Sequence, residues 1–305
     1  MTTIGILTRN PNSWCTRELI RACLSEGCRY LTFSFRDLVA VVGRGRVEIW
    51  LRNVDKLDRL VDIVLVRPIG KCSLEQAIFR MDLLHCMRDV GLPVVNDPRA
   101  IEIAIDKFRT LYLLTLSGLP TPLTVVCESE YRVAEQLSVF NGGDIVVKPL
   151  FGSRGFGVFR LRSRCITEMR DLVWRVCFYL TASRAVLLLQ EYLRHGGVDY
   201  RLLVVGGRVI AYMMRRARST WKTNISQGGE PVKPPRLDPE IEDLAVKSCK
   251  VIGCDIAGVD IVETRSGEKF IIELNTQPGW RGIQSVSDVD IAREIVKFLI
   301  EKAKR

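Results

Sequence analysis

The residues best suited to chemistry lie in AGVDIVETRSGEKFIIELNTQPGW, residues 257–280. Two strand-forming runs flank Arg265-Ser266-Gly267-Glu268, and a two-residue Ser266-Gly267 turn predicts a tight hairpin. With Arg265 opposite Glu268, counting back sets Asp260 opposite Glu273. Directly opposed side chains have β-carbons about 5 Å apart, and like charges there repel. Period-two alternation puts Asn275 on the face of Glu273. Two carboxylates and an amide oxygen among apolar neighbours call for a cation. Ligation by oxygen without histidine favours Mg2+ (or Mn2+) over zinc.

A second set surrounds the glycines of KPLFGSRGFGVFRLR, residues 148–162. Gly152, Gly155 and Gly157 are spaced G-x-x-G-x-G, the reverse of the dinucleotide fingerprint, and no Gly-Lys-Ser/Thr follows to make a P-loop. The segment is either a glycine-rich hairpin turn or a phosphate cover hinged between two strands. Lys148 ends an apolar strand just before it, and Lys107 opens a helix in AIDKFRT. Two amines beside a loop rich in free N–H groups suit a triphosphate. The apolar run AVLLLQEYL ends in Gln190 and Glu191. Burying Glu191 there is costly unless it accepts donors such as an exocyclic amine and a ribose hydroxyl. Asp199 and Arg201 follow with one-residue spacing on a strand.

These groups need elements to hold them. TIGILT, YLTFSF, VDIVLVRP and LPVVND read as strands alternating with the helices SWCTRELIRACLSEG and SLEQAIFRMDLLHCMRDVG. That alternation predicts a parallel, Rossmann-like sheet over residues 1–96, without a dinucleotide loop after its first strand. A helix is then expected from DPRAIEIAIDKF to Gly118, ended by Pro120 and Pro122. The chain continues as two strands around the glycines, a helix at ITEMRDLVWRVCFYL and a strand-rich last third. The final helix carries an apolar stripe at Ile291, Ile295 and Leu299 that predicts a core-packing face.

Composition narrows the partners. The 305 residues carry 45 Lys+Arg against 35 Asp+Glu, a net charge of +10, which suits an anionic ligand. No basic block or RNA-binding aromatic motif is present, so nucleic acid is not an expected partner. Ten cysteines are scattered, with C-x4-C pairs at Cys23/Cys28 and Cys249/Cys254 and no C-x-x-C, and read as small buried hydrophobes. With only His85 and His195, a zinc site or a Ser–His–Asp or Cys–His enzyme is not expected, and His195 reads as a loop residue. No signal peptide or membrane-crossing run is visible, so a cytoplasmic protein without membrane contact is predicted.

Taken together, Lys107, Lys148 with its glycine loop, QEYL, GVDYRLLVV, RRARSTWKTNISQGG and GVDIVE…FIIELNTQPGWRGIQ resemble the ATP-grasp fold. Within it they are similar to the RimK-like glutamate ligases, which include archaeal enzymes that glutamylate coenzymes. VRPIG, NDPRAIEIAIDKF and GLPTP extend the likeness over nearly the whole chain. The resemblance implies an α/β chain in three parts. These are a Rossmann-like pre-ATP-grasp domain (1–96), a small lobe with the glycine loop (97–188) and a lobe with the metal site (189–305).

It implies an ADP-forming carboxylate–amine ligase using ATP and Mg2+, adding L-glutamate to a small anionic acceptor. Glutamylation of a protein tail, or a non-catalytic ATP-binding regulatory or RNA-associated module, are the alternatives. A homo-oligomer is expected. Lys107 and Lys148 would hold the phosphates, Lys148 also lying near the adenine, with Gly152, Ser153, Gly155 and Gly157 closing over them. Gln190, Glu191 and Tyr192 would line the adenine hinge. Asp199 would bind the ribose, with Arg201 beside the nucleotide. Asp260, Glu273 and Asn275 would hold the metal. Lys222, where the family commonly has arginine, and Asn224 would flank the γ-phosphate. One of Arg215 and Arg216 would grip the tetrahedral intermediate. Arg67 and Arg281 would face the substrate.

Overall fold

The computed structural model describes every residue except 53, 71, 130, 131, 133, 134, 153, 154, 163–165, 183, 184, 235 and 305; the side chains of 166 and 177–182 are also not described. The chain opens with β1 (Thr3–Leu7), α1 (Trp14–Ser25) and β2 (Arg29–Phe33). An antiparallel meander follows, β3 (Leu38–Gly43), β4 (Arg46–Leu51) and β5 (Asp55–Lys56). Then come the short α2 (Leu57–Leu60), β6 (Ile63–Val66), α3 (Leu74–Asp89) and β7 (Val94–Val95). The four strands outside the meander pair in parallel in the order β2-β1-β6-β7, the sheet that the alternating pattern predicts. Its helices start where their caps say: the Ser13 hydroxyl accepts from the Thr16 N–H, and Ser73 and Gln76 form a reciprocal capping box.

The single helix expected up to Gly118 is two, α4 (Pro98–Ile105) and α5 (Lys107–Leu116). Asp106 leaves the helical region (φ −91°, ψ 106°) and its carboxylate accepts from the Arg109 N–H. An aspartate that caps the next turn competes with helix continuation, and periodicity alone does not register this. The break makes Lys107 the first residue of α5. Ala100, Ile103 and Leu114 of these helices share one core with Leu202, Ile241 and Val259 of the last third of the chain.

A small antiparallel sheet holds the glycine segment. Its strands are β8 (Thr124–Cys127), β9 (Ile145–Pro149), β10 (Phe159–Leu161) and, after α6 (Ile166–Ala182), β11 (Leu187–Glu191), in the order β10-β9-β11-β8. The remainder builds a five-stranded antiparallel sheet. Its elements are β12 (Val198–Val205), β13 (Arg208–Arg216), β14 (Glu230–Val232), α7 (Pro239–Ile252), β15 (Ile256–Glu263) and β16 (Lys269–Asn275), with strand order β14-β13-β12-β15-β16. After it come α8 (Arg281–Gln284) and α9 (Ile291–Lys302). Ile291, Ile295 and Leu299 of α9 are buried in one core with Ile4, Ile6 and Leu19, so the last helix seals the first sheet.

The β15–β16 hairpin corrects the turn while keeping the pairing. Thr264 and Glu268 bracket a three-residue loop, with the Thr264 N–H donating to the Glu268 carbonyl at 2.8 Å and Gly267 at φ +87°. Near the loop Glu263 pairs with Lys269 and Ile261 with Ile271, one residue off the two-residue register. A bulge at Ile272 then restores the count, and Asp260 faces Glu273 as predicted. Two one-residue offsets cancel.

Candidate active site

The five-stranded sheet carries a checkerboard of charge on one face. Strand pairing sets Asp199 opposite Arg215, Arg201 opposite Asp260 and Asp260 opposite Glu273. Alternation keeps Asp199 with Arg201, and Glu273 with Asn275, on a common face. Arg215 grips Asp199 bidentately, Nε to Oδ1 at 2.8 Å and Nη2 to Oδ2 at 2.5 Å, and its Nη2 lies 2.9 Å from Asp260 Oδ2. The Thr223 hydroxyl also donates to Asp199 Oδ2, at 2.7 Å. Arg201 Nη2 donates to Asp260 Oδ2 at 3.0 Å.

Burial works to lower the Arg215 pKa, but Asp199 and Asp260 outweigh it and hold the guanidinium above its ordinary value. Burial pushes the Asp260 carboxyl up, against the pull of Arg201 and Arg215. Asp260 Oδ1 is buried and ion-paired with Arg201 Nε. Two carboxylates paired across neighbouring strands, with Asn275 on the same face, suit a divalent cation. Among the described residues no cluster of three or more His, Cys, Asp or Glu could hold a metal ion.

Above this face lies a cleft of about 720 Å³, including its open mouth, whose other wall is the small sheet and its glycine loop. Lys107, Lys148, Lys222, Asn224, Asp199, Arg215, Asp260 and Glu273 all line it. Lys107 Nζ donates to the carbonyls of Gly152 (2.9 Å) and Leu150 (3.3 Å), and Lys222 Nζ to that of Gly155 (3.2 Å). The loop is thus held from both sides by the amines that the resemblance assigns to phosphates. Gly155, at φ +71°, passes so close to Asn224 that a Cβ would stand 2.6 Å from its Oδ1. Lys148 Nζ donates to Gln190 Oε1 at 2.5 Å, and Gln190 Nε2 to Thr124 Oγ1 at 2.9 Å. Burial lowers the Lys148 amine to about 8 and lowers Lys107 as well, with Glu273 pulling both the other way.

Other expected residues sit around this centre. Glu191 spends Oε1 on the Leu123 N–H at 2.8 Å, at the junction of the two sheets. Tyr192 packs edge-on against Trp221 and lies under the Arg160 guanidinium, 3.4 Å from ring centroid to Cζ. Asn275 follows Glu273 along β16 and pairs with Gly258. Of the arginine pair only Arg215 reaches the cleft; Arg216 is exposed on the opposite face of β13. Arg281 is exposed at the start of α8 and does not line the cleft. Arg67 is buried, donating to the Pro278 carbonyl at 2.9 Å. Ser153 lies outside the described residues. His195 does line the cleft, its Nδ1 3.1 Å from the Val198 carbonyl, with burial lowering its pKa. Thr223 and Trp221 are site residues that the sequence reading missed. Nothing in their local sequence marks them, and they enter through the return of the 217–229 connection over β12.

A fold with this cleft between a small antiparallel sheet and a charged larger one belongs to the carboxylate-activating ATP-grasp class. The chain matches the RimK-like ATP-grasp domain over residues 104–299 and belongs to that family. A Thioalkalivibrio sulfidiphilus protein named "Probable alpha-L-glutamate ligase" is 36% identical over 99% of this chain and 96% of its own. The tetrahydromethanopterin:alpha-L-glutamate ligase of Methanocaldococcus jannaschii is 30% identical over 99% of both chains. Among solved structures, the ATP-grasp ligase PsnB, bound to Mg, ADP and a phosphomimetic variant of its minimal precursor, superposes with a TM-score of 0.72 at 19% identity, covering 100% of this chain and 99% of that one. The RimK domain protein of Sphaerobacter thermophilus superposes at 0.70 and 20% identity, covering 98% of this chain and 100% of that one.

Proposed function

We propose that this protein is an ATP-dependent ligase that joins L-glutamate to a small anionic acceptor through an amide bond, with an acyl phosphate as intermediate. The observation that carries the reading is that Asp260, Glu273 and Arg215 line one cleft together with Lys107, Lys148 and Lys222. Acids that suit a cation beside amines that suit phosphates describe a Mg-ATP site. Relatives named alpha-L-glutamate ligases, one of them acting on tetrahydromethanopterin, support the donor and the kind of acceptor.

In this reading Asp260, Glu273 and Asn275 hold Mg2+ (or Mn2+), which would supply positive charge to the phosphate oxygens. Lys107, Lys148 and Lys222 exchange their loop and Gln190 contacts for phosphate oxygens and offset charge as it develops. Gln190, fixed by Thr124, holds the Lys148 amine in place until the nucleotide arrives. Glu191, Tyr192 and Asp199 flank the nucleoside, and Arg201 and Arg215 keep the two aspartates in place. The acceptor carboxylate attacks the γ-phosphorus, and the bond to ADP breaks. The glutamate amine then attacks the acyl carbon, phosphate leaves, and the amine gives up a proton. The loop from Gly152 to Gly157 keeps water from the acyl phosphate. At +10 the enzyme draws anionic small molecules inward, whereas a basic protein tail is repelled.

The test is ADP release with Mg-ATP and L-glutamate, with and without a small-molecule cell extract, followed by mass spectrometry. Extract-dependent release with a metabolite gaining a glutamyl increment is expected. Turnover only with a protein fraction moves the acceptor to a polypeptide. Tight Mg-ATP binding without ADP under either condition overturns the ligase reading.

A further inference from the structure

The parallel sheet has an unused ligand position. β1 and β6 are neighbours whose connections leave to opposite sides, and in open α/β sheets ligands bind beyond the carboxyl ends of such a pair. The loops there carry Arg9 and, after β6, Arg67, Pro68, Ile69 and Gly70. Arg67 is 6% exposed, and its Cζ stacks 4.7 Å from the centroid of Trp280. Its Nη2 donates to the Pro278 carbonyl, and among the described residues the ionisable neighbour acting on it is the Cys15 thiol. A buried guanidinium with no carboxylate is costly, and burial lowers its pKa.

Two more donors around it are unmatched. The Gln277 Nε2 and Trp280 Nε1 atoms are both buried without a hydrogen-bond partner, although Gln277 Oε1 is fixed by the Ile69 N–H at 3.3 Å. Buried polar atoms are ordinarily satisfied, and here every excess group is a donor. The Arg9 guanidinium covers Gly70, where a Cβ would stand 3.0 Å from its Nη1.

The place is also tied to the cleft. Gln277 lies two residues beyond Asn275, at most about 7 Å along the chain. A Cβ on Gly258 would meet both Arg201 Nη1 (2.5 Å) and Pro278 Cβ (3.1 Å), so the charged face and the Arg67 crevice share one wall. Asn96 fixes that wall, its Nδ2 donating to the carbonyls of Ile256 (2.8 Å) and Thr276 (2.5 Å).

We propose that Arg67, the Gln277 amide and the Trp280 indole N–H anchor a substrate carboxylate other than the one activated, holding a polycarboxylate with its reacting end toward Glu273. The inference rests on the ligase reading for the direction of the substrate, but not for the anchor itself. Both L-glutamate and an anionic acceptor carry such a group.

The test uses the full chain loaded with Mg2+ and a non-hydrolysable ATP analogue. Binding of glutarate, L-glutamate and, as a one-carboxylate control, butyrate is measured by calorimetry in wild type, Trp280→Phe, Gln277→Met and Arg67→Lys. Trp280→Phe removes the N–H together with part of a fully buried ring, so Gln277→Met, at a half-buried position, is the variant that separates anchoring from folding, and urea midpoints are recorded for all three. Each variant is expected to weaken a dicarboxylate about tenfold, the size of a charge-assisted hydrogen bond, and to leave the ATP analogue and butyrate unchanged. Weakened L-glutamate assigns the anchor to the amino acid; an unchanged L-glutamate with a raised KM for the extract acceptor assigns it to the acceptor. Unchanged glutarate, L-glutamate and extract KM in all three variants overturn the anchor, even if ADP release stands. Anchor-dependent glutarate binding without any ADP release sinks the ligase reading and leaves the anchor in place.

Discussion

The two walls of the cleft are built on opposite principles. On the sheet wall, Arg215 and Arg201 alternate with Asp199 and Asp260 in a pattern that strand register sets. On the loop wall, among the described residues, the lysines hydrogen-bond to neutral oxygens, the carbonyls of residues 150, 152 and 155 and the Gln190 amide, while Glu273 acts on Lys107 and Lys148 without bonding them. The two aspartates of the first wall are paired without a nucleotide. The lysines gain directly bonded counter-charge when phosphates arrive. The sheet wall should therefore govern stability and metal binding, and the loop wall should govern nucleotide capture.

The harshest break of this contrast is Glu273→Gln. It removes one of the proposed cation ligands while Asp260 keeps its arginines, and ADP release is expected to fall by roughly a thousandfold, with the urea midpoint little changed. Retention of full Mg-ATP turnover would mean that β16 is not the metal side. Arg215→Met attacks the wall's own balance. Asp199 and Asp260 would be left buried without their main partner, costing about 3–5 kcal/mol, seen as a lower urea midpoint at unchanged slope. A shift below 1 kcal/mol would show that solvent reaches the wall.

On the loop side, Gly155→Ala combines an unfavourable positive φ with the close Asn224 oxygen. The KM for ATP should rise about tenfold while stability holds, because the loop lies outside the buried cores. An equal loss of stability would place the loop in the folded core's cooperative unit.

The smallest effect is protonic. Burial sets the Lys148 amine at about 8, below its ordinary value, so the neutral form is favoured as pH rises through that point. The cost of burying the ammonium is present below about pH 8 and fades above it. Phosphates favour the ammonium, so Mg-ATP binding near pH 9 should take up a fraction of a proton, and binding at pH 7 almost none. Calorimetry in two buffers of different ionisation enthalpy reads this directly. Lys148→Met should remove that lysine's share, and identical enthalpies in both buffers at pH 9 would contradict the assignment.

Part of the loop wall was legible because Lys148 and the glycines lie within one hairpin, whereas the Asp106 cap that ends α4 before Lys107 was not read. The sheet wall was legible only along β15 and β16, and there by compensation. The three-residue loop and the Ile272 bulge each shift the register by one, and neither leaves a mark that turn chemistry alone can read. The choice between Arg215 and Arg216 was beyond local reading, since a strand's two faces are equivalent until its neighbours are known.

Element types, the alternation of the first sheet and the apolar stripe of the last helix follow from periodicity, caps and turns, which act over a few residues, whereas the pairing of Asp260 with Glu273 was reached through two cancelling offsets. The checkerboard of Asp199, Arg215, Arg201 and Asp260, the reach of Thr223 to Asp199 and the donors gathered at Arg67 come from strands and loops far apart in the chain. Those juxtapositions depend on sheet order and on how two cores share a wall. Only packing decides these, because no short-range preference distinguishes one neighbour from another.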